Sequence, residues 1–335
     1  MIITQTPFRM SFFGGGTDFN GFFNEHGGAV LSTTFDKYAY VTVRHLPPFF
    51  DYKTHLTYSK EEKINENSQI MHPAIRNAME WLDMHDIRMT YEADLPARSG
   101  LGTSSSFAVG MLSAFYALKG KYADKRKLAD DAIYLERELC KEAGGIQDQI
   151  AASFGGFNRI NFSRDGYSVN PLVISPKRKK ELNDHLMLFF TGHIGKDHQR
   201  DDEFQKGTEK SMKDKTQQLI EMYHLVDDAE KILTDKNTSL DEFGKLLDYT
   251  WKLKRGISLG ISTGSIDEQY DKAIKAGALG GKLLGAGGGG FLLFYVPKEK
   301  QEAVKKALKD QMYVPFKFEN EGTKIIYYGP EEYTK

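Results

Sequence analysis

The chain has 335 residues, of which 40% are hydrophobic and 27% are charged, a composition typical of a globular protein with at least one sizeable core. Its 45 lysine and arginine residues nearly balance 46 aspartate and glutamate residues, so the net charge of −1 gives no electrostatic basis for binding nucleic acid or an anionic membrane. A single cysteine, Cys140, excludes an intramolecular disulfide, and the apolar runs are too short for a membrane span, so we expect a cytoplasmic protein.

Hydrophobic periodicity divides the first half of the chain into strands and helices. Alternating or β-rich stretches predict strands over 38–45, 88–94 and 157–162. Apolar residues at helical spacing predict helices over 103–120, 125–142 and 146–154. Gly120 stands at the end of the first of these helices, where a glycine commonly terminates a helix.

A polar, proline-containing stretch, residues 170–185, interrupts this pattern and predicts a boundary between domains of residues 1–175 and 176–335. Beyond it, the predicted strands are 186–192, 291–296 and 324–328, and a charged segment, 196–207, is predicted to be a mobile loop. The predicted helices are 219–233, 240–253, 266–277 and 298–310. Strands and helices alternate without regular βαβ units, so the predicted fold class is α+β rather than a doubly wound sheet.

The distribution of glycine points to a binding site. The chain contains 32 glycines, and they cluster at 14–16, 100–102, 144–145 and 277–290. Glycines placed between apolar elements let a ligand approach the backbone closely, whereas a flexible linker would be rich in serine. We therefore interpret these clusters as candidate binding loops.

Three familiar nucleotide motifs fit these loops poorly. A Walker A loop needs Ser or Thr after Gly-Lys, but Leu283 follows Lys282. Gly285, Gly287 and Gly290 satisfy GxGxxG, yet the loop is predicted to follow a helix and precede a strand, the reverse of a dinucleotide-binding loop. The HRD and DFG motifs of protein kinases are missing. A dinucleotide-dependent oxidoreductase remains an alternative.

The segment LPARSGLGTSSS (95–106) has the context of an anion-binding loop. The free amides from Gly102 to Ser105 would converge at the start of a helix, whose dipole favours negative charge there. A helix cap is the alternative, but a cap needs one hydroxyl, and four follow in succession. The segment therefore favours contact with a phosphate and its metal ion.

Three segments together resemble the motifs of the GHMP kinases: PFRMSFFGGGTD (7–18), LPARSGLGTSSS (95–106) and KLLGAGGGGFLLF (282–294). This resemblance implies a two-domain fold, with an N-terminal domain like domain 2 of ribosomal protein S5 and a ferredoxin-like α+β C-terminal domain. It also implies a phosphotransferase that uses ATP and magnesium and has an alcohol group as acceptor. Within the superfamily the motifs look most like the D-glycero-D-manno-heptose 7-phosphate kinases, which phosphorylate the anomeric hydroxyl in nucleotide-activated heptose biosynthesis.

The resemblance assigns a role to individual residues around the reacting phosphoryl group. Asp148 is implied to be the catalytic base, and Arg9 its electrostatic partner. Ser104 and Glu136 are implied to bind magnesium, although Glu136 could instead be an exposed helix residue. The residues implied to bind the phosphates of ATP are Gly100, Leu101, Gly102, Thr103, Ser104 and Ser105.

The acceptor site follows from the same resemblance. The residues implied to contact the sugar are Gly15, Gly16, Thr17, Asp18, Gly287, Gly288 and Gly289. A distal phosphate needs a cationic pocket, for which the candidates are Lys37, Arg98, Lys196 and Lys282. Residues 193–201 depart from the Ser-Arg segment usual in the heptose kinases. Alternatives are therefore another anomeric sugar kinase, such as a fucokinase-like enzyme, and a non-catalytic sugar or nucleotide sensor on the same fold, and homodimerisation is left open.

Overall fold

The computed structural model describes residues 1–192, 215–257, 262, 264–285 and 287–331.

Two long strands form the centre of the first sheet. Strand β1 (Ile2–Phe13) and strand β2 (Gly28–His45) pair antiparallel, from Ile2 opposite Val43 to Phe13 opposite Leu31. The predicted strand over 38–45 captured only the second half of β2. The first half is buried continuously, so it lacks the alternation that marks a half-exposed strand.

The other strands of this nine-stranded sheet extend from the β1–β2 pair. They are β3 (Thr54–Thr57), β4 (Glu61–Ile64), β5 (Ile87–Ala93), β6 (Phe157–Ser163), β7 (Gly166–Pro171), β12 (Phe318–Glu319) and β13 (Lys324–Tyr328). Strand β2 pairs with β6 through its first half and with β5 through its second half. Strand β13 pairs with β1 at the opposite edge.

The helices of the first half pack around this sheet. They are α1 (Asn20–His26), α2 (Pro73–Trp81), α3 (Thr103–Leu118), α4 (Lys125–Ile133) and α5 (Gln147–Phe154). Every residue of α3 except Ser104 is buried, so this helix forms the centre of its layer. The predicted helix over 125–142 is α4 followed by a π-helical turn over Tyr134–Leu139.

A second, four-stranded antiparallel sheet has the order β11–β8–β10–β9. Its strands are β8 (Leu186–Phe190), β9 (Gly280–Leu283), β10 (Phe291–Tyr295) and β11 (Met312–Val314). The accompanying helices are α6 (Pro176–His185), α7 (Thr216–Thr234), α8 (Asp241–Ile257), α9 (Gly264–Lys275) and α10 (Gln301–Ala307). These segregated layers confirm the predicted α+β class. None of the helices in the described ranges combines the length and the hydrophobicity that spanning a bilayer requires.

One local prediction was wrong: the glycine loop at 285–290 follows strand β9 rather than a helix, so it connects two neighbouring antiparallel strands. Within the polar stretch 170–185, Pro176 starts helix α6, and the Ser175 side chain accepts a hydrogen bond from the Arg178 amide. The segment 196–207 lies outside the described residues. The division at residue 175 stays a prediction, and β12 and β13 return from the second half to complete the first sheet.

An apolar cluster joins β1 to the second sheet. Phe243 of α8 is fully buried, and its ring lies 5.5 Å from that of Phe12 and 5.1 Å from that of Phe13. The same ring lies 6.5 Å from that of Tyr295 in β10. Phe12 and Phe13 immediately precede the first glycine cluster, so this packing fixes where the cluster stands relative to the second sheet.

Replacement of Phe243 by alanine should lower the free energy of unfolding by about 3–5 kcal/mol, because it leaves a cavity where the two sheets meet. Urea unfolding followed by circular dichroism measures the change. The control is Tyr122→Ala, whose side chain is 90% exposed and whose loss should alter stability by less than ~0.5 kcal/mol. Equal losses in the two variants would contradict the role of Phe243 in this contact.

Candidate functional site

The buried helix α3 presents its amino terminus to the site. Gly102 is the residue before the helix and adopts φ of 72°, a left-handed conformation that reverses the chain into the first turn. No side chain caps this end, which leaves the first-turn amides for another acceptor. The hydroxyls of Thr103 and Ser106 bond to the Arg98 amide and the Pro7 carbonyl, so they brace the loop. The arrangement suits a bound anion.

The loop between β9 and β10, which contains Gly285 to Gly290 and is called the third glycine loop below, packs directly on the candidate phosphate-binding loop at residues 100–105. A Cβ atom on Gly100 would lie 2.2 Å from the Leu284 carbonyl oxygen, and one on Gly285 would lie 2.3 Å from the Gly100 Cα. Side chains at these positions would force the two backbones apart. The loops meet because glycine occupies both of them, and the clusters at 100–102 and 285–290 therefore form one structure.

Arg9 and Asp148 form a bidentate ion pair beside the loop. Arg9 Nε donates to Asp148 Oδ1 and Arg9 Nη2 donates to Asp148 Oδ2, each at 2.7 Å, while Arg9 Nη1 donates to the Gly100 carbonyl at 2.7 Å. The Arg9 side chain is 6% exposed and that of Asp148 is 25% exposed. Asp148 lies in the first turn of α5, where the helix dipole also favours a carboxylate. The predicted catalytic pair is thus assembled, with Asp148 open to a ligand.

Glu136 is buried behind the same helix end. Its carboxylate accepts hydrogen bonds from Ser104 Oγ at 3.2 Å, from Ser105 Oγ at 2.8 Å and from Gln149 Nε2. Burial raises the pKa of Glu136 above its usual range, and the nearby Arg137 opposes this rise. The alternative of an exposed helix residue is therefore wrong for Glu136, which is 2% exposed.

These groups fit a magnesium ion. Within the described residues, the hydrogen-bond donors to the Glu136 carboxylate are two hydroxyls and an amide, and all three are neutral. A buried carboxylate without a cationic donor is costly unless a cation accompanies it. Carboxylate and hydroxyl oxygens are ligands that magnesium accepts in phosphate sites. Glu136 and Ser104, the one exposed residue of α3, provide such a pair.

Thr17 and Asp18 are buried, and they brace the first glycine loop. Asp18 Oδ1 accepts from the Gly16 amide at 2.9 Å, and Oδ2 accepts from the Gln147 amide at 3.3 Å. The Thr17 hydroxyl lies in donor position to two carbonyl oxygens, that of Gly14 at 2.8 Å and that of Ala29 at 2.9 Å. Burial raises the pKa of Asp18. The pair joins this loop to the start of α5, and its predicted contact with a sugar stays a prediction.

The loop between β9 and β10 has an open side. A Cβ on Gly288 would meet no atom within 4 Å. Gly289 is buried, and Gly287 is half-buried. Contact of these three glycines with a sugar is untested, but Gly288 leaves room for a ligand.

The predicted distal-phosphate cations have different surroundings. Lys37 donates to the neighbouring Asp36 carboxylate, and Arg98 has φ of 59° in the segment before the loop. Lys282 is buried, and its Nζ donates to the Phe12 carbonyl at 2.8 Å. Lys196 lies outside the described residues. The positive charge of Arg9 lies close enough to Lys282 to contribute to the lowering of its pKa, which places this lysine near the candidate site.

Sequence reasoning missed Lys254. Its Nζ donates to the Gly285 carbonyl at 2.6 Å, and it interacts electrostatically with Arg9, Asp18 and Asp148. Burial first, and Arg9 second, lower the pKa of Lys254 to about 8. In the sequence this lysine belongs to a charged, amphipathic helix, so nothing distinguished it from its solvated neighbours.

Family models match both halves of the chain. The model described as GHMP kinases N terminal domain matches residues 69–156, and the model described as GHMP kinases C terminal matches residues 229–314. A D-glycero-alpha-D-manno-heptose 7-phosphate kinase of Campylobacter jejuni is 32% identical over 96% of this chain and 98% of its own length. An L-fucokinase/L-fucose-1-P guanylyltransferase of Bacteroides fragilis is 32% identical over 65% of this chain and 23% of its own length.

Solved structures share the fold over the whole chain. A D-glycero-D-manno-heptose 1-phosphate kinase from Bacteroides thetaiotaomicron superposes with a TM-score of 0.70, at 25% identity, and covers 100% of both chains. A mevalonate kinase, at 21% identity, has a TM-score of 0.73 over 96% of this chain and 100% of its own, which supports the fold alone. The two-domain architecture implied by the motifs is therefore confirmed.

Gly102→Ala should destabilise the protein more than Gly120→Ala. Both glycines have positive φ, 72° and 66°, so alanine costs about 1–2 kcal/mol of backbone strain at either position. A Cβ on Gly102 would also lie 3.1 Å from Arg9 Cγ, whereas one on Gly120 would meet nothing within 4 Å. Urea unfolding should show a further loss of ~1 kcal/mol for Gly102→Ala. Equal destabilisation would contradict the tight contact between this loop and Arg9.

Proposed function

This chain belongs to the GHMP kinases, and we propose that it transfers the terminal phosphoryl group of ATP to the anomeric hydroxyl of D-glycero-D-manno-heptose 7-phosphate. The product would be the 1,7-bisphosphate, an intermediate toward nucleotide-activated heptose. The chain is a kinase of a sugar hydroxyl, and the heptose is supported by the Campylobacter jejuni relative. The observation that carries the mechanism is the bidentate pair of Arg9 and Asp148 beside the amino terminus of α3.

Asp148 is the proposed general base. Its partly exposed carboxylate can accept the proton of the sugar hydroxyl as that oxygen attacks phosphorus. The Arg9 guanidinium donates to both oxygens of this carboxylate and so fixes its orientation. Arg9 also donates to the Gly100 carbonyl, so the base is held at a fixed distance from the phosphate loop.

The phosphates of ATP are proposed to lie at the first turn of α3, from Gly100 to Ser105. The uncapped amides and the helix dipole stabilise the negative charge that shifts to the leaving oxygen. Magnesium, when bound with ATP, neutralises phosphate charge, and Ser104 and Glu136 are the residues that would hold it. A reducing, ATP-containing compartment agrees with the single cysteine, so we propose a cytoplasmic location.

An anomeric kinase for an unphosphorylated sugar is the second candidate. The fucokinase relative supports it, because its similarity extends over 65% of this chain. The two candidates use the same base and phosphate loop and differ in whether the acceptor carries its own phosphate.

A panel of free and phosphorylated sugars should distinguish these candidates. With ATP and magnesium, heptose 7-phosphate should be turned over with the highest kcat/KM, and phosphorus NMR should place the new phosphate on the anomeric oxygen. Fucose and unphosphorylated heptose serve as matched acceptors. Absence of turnover on every phosphosugar, with turnover on a free sugar, would contradict the heptose assignment.

Asp148→Asn should reduce turnover by about 10²- to 10⁴-fold, because the amide cannot accept the hydroxyl proton. Binding of ATP with magnesium should change little, since the loop amides remain in place, and calorimetric titration measures it. The control is Asp165→Asn in the exposed turn between β6 and β7. Turnover that survives in Asp148→Asn would exclude this residue as the base.

A further inference from the structure

Two lysines beside the reacting centre have no part in the mechanism described above. Lys254 lies near the end of α8, and its Nζ donates to the Gly285 carbonyl. Lys282 lies in β9, is 3% exposed, and its Nζ donates to the Phe12 carbonyl. The first lysine therefore contacts the third glycine loop, and the second contacts the strand that leads into the first glycine loop.

The charge of these lysines is not neutralised by a close carboxylate in the part of the chain that the structure describes. Each donates to a neutral backbone carbonyl. The charged groups that interact with Lys254 are Arg9 of β1, Asp18 of the first glycine loop, Asp148 of α5 and Lys282 of β9. Asp148 is already paired with Arg9, and Asp18 accepts from two backbone amides.

Shielding a cation from water without a close counter-charge costs free energy, and a lowered pKa is the result; Lys282 is buried and Lys254 is half-buried. Burial, followed by the charge of Arg9, lowers the pKa of Lys254 to about 8. Burial, followed by the charges of Lys254 and Arg9, places the pKa of Lys282 well below its ordinary value. An anionic ligand between the two glycine loops would supply the missing negative charge and restore both pKa values.

We propose that Lys254 and Lys282 form a phosphate-binding pair on the acceptor side of the reacting centre, and that their ligand is a phosphate monoester dianion. This inference rests on the proposed function, in which the acceptor sugar carries its own phosphate. The terminal phosphate of ATP has the same chemistry, but the uncapped amino terminus of α3 already provides a site for the phosphates of the donor. The acceptor phosphate is therefore the source that we favour.

Lys254→Met should raise KM for heptose 7-phosphate about 10- to 100-fold, the effect of losing a hydrogen bond to a charged group. The same variant should leave kcat/KM for unphosphorylated heptose and the affinity for ATP within about twofold. Lys245→Met is the matched control, because Lys245 is an exposed residue of the same helix that pairs with Glu242. A selective loss of ATP affinity, with ADP affinity intact, would instead identify the terminal phosphate of ATP as the ligand.

The pH dependence provides a readout that a merely structural lysine would not give. Lys254 carries its proton below pH 8 and loses it above, so kcat/KM for heptose 7-phosphate should fall as the pH rises through about 8. Lys254→Arg, which stays charged, should move this fall to higher pH and retain most of the affinity. An unchanged profile in Lys254→Arg would overturn the role of Lys254.

Inorganic phosphate tests the pair independently of the sugar. Phosphate should raise the thermal unfolding temperature of the wild type and of Lys245→Met, and raise that of Lys254→Met and Lys282→Met less. If no phosphosugar is turned over but this difference is found, the heptose assignment fails and the phosphate pair stands. If phosphate stabilises all four proteins equally and KM is unchanged in Lys254→Met, the pair is excluded.

Discussion

One guanidinium holds together three segments that are distant in sequence. Arg9 on β1 donates hydrogen bonds to the carbonyl of Gly100 in the candidate phosphate-binding loop and to both oxygens of Asp148 on α5. Its backbone amide also donates to the Leu101 carbonyl at 3.1 Å. Charge-assisted, bidentate bonds in a buried setting are both strong and directional. Asp148, the amino terminus of α3 and the central sheet are therefore fixed relative to one another by a single residue.

The second constraint is steric. The loops containing Gly100 and Gly285 touch through their backbones, at a separation that leaves no room for a Cβ atom on either. This contact joins the half of the chain that holds the phosphate loop to the half that contributes Lys254 and Lys282. The glycine clusters at 100–102 and 285–290 are thus explained by a close contact between two backbones, and Gly288 in the second cluster leaves open space beside that contact.

Local periodicity predicted the fold class and the strongly periodic elements such as α3, whereas the resemblance to the GHMP kinases implied the pairing of Asp148 with Arg9. Sequence reasoning missed β1 and the first half of β2, since a strand that is buried along most of its length has no alternation. It also missed Lys254, because a lysine on an amphipathic helix looks solvated until its neighbours are known. The internal bonds of Asp18 were equally hidden, as the Gln147 amide comes from a segment 129 residues away. Such long-range contacts follow from tertiary packing alone.

The last strand of the first sheet has a consequence for how the protein is made. Strand β13 pairs with β1, with Tyr328 opposite Ile2, so β1 is synthesised more than 300 residues before the strand that covers this edge. Until β13 has been synthesised, one edge of β1 exposes unpaired backbone N–H and C=O groups, and such an edge can pair with strands of other chains. The nine-stranded sheet can therefore be completed only after the residues of the four-stranded sheet have been synthesised, because β8 to β11 precede β13 in the chain.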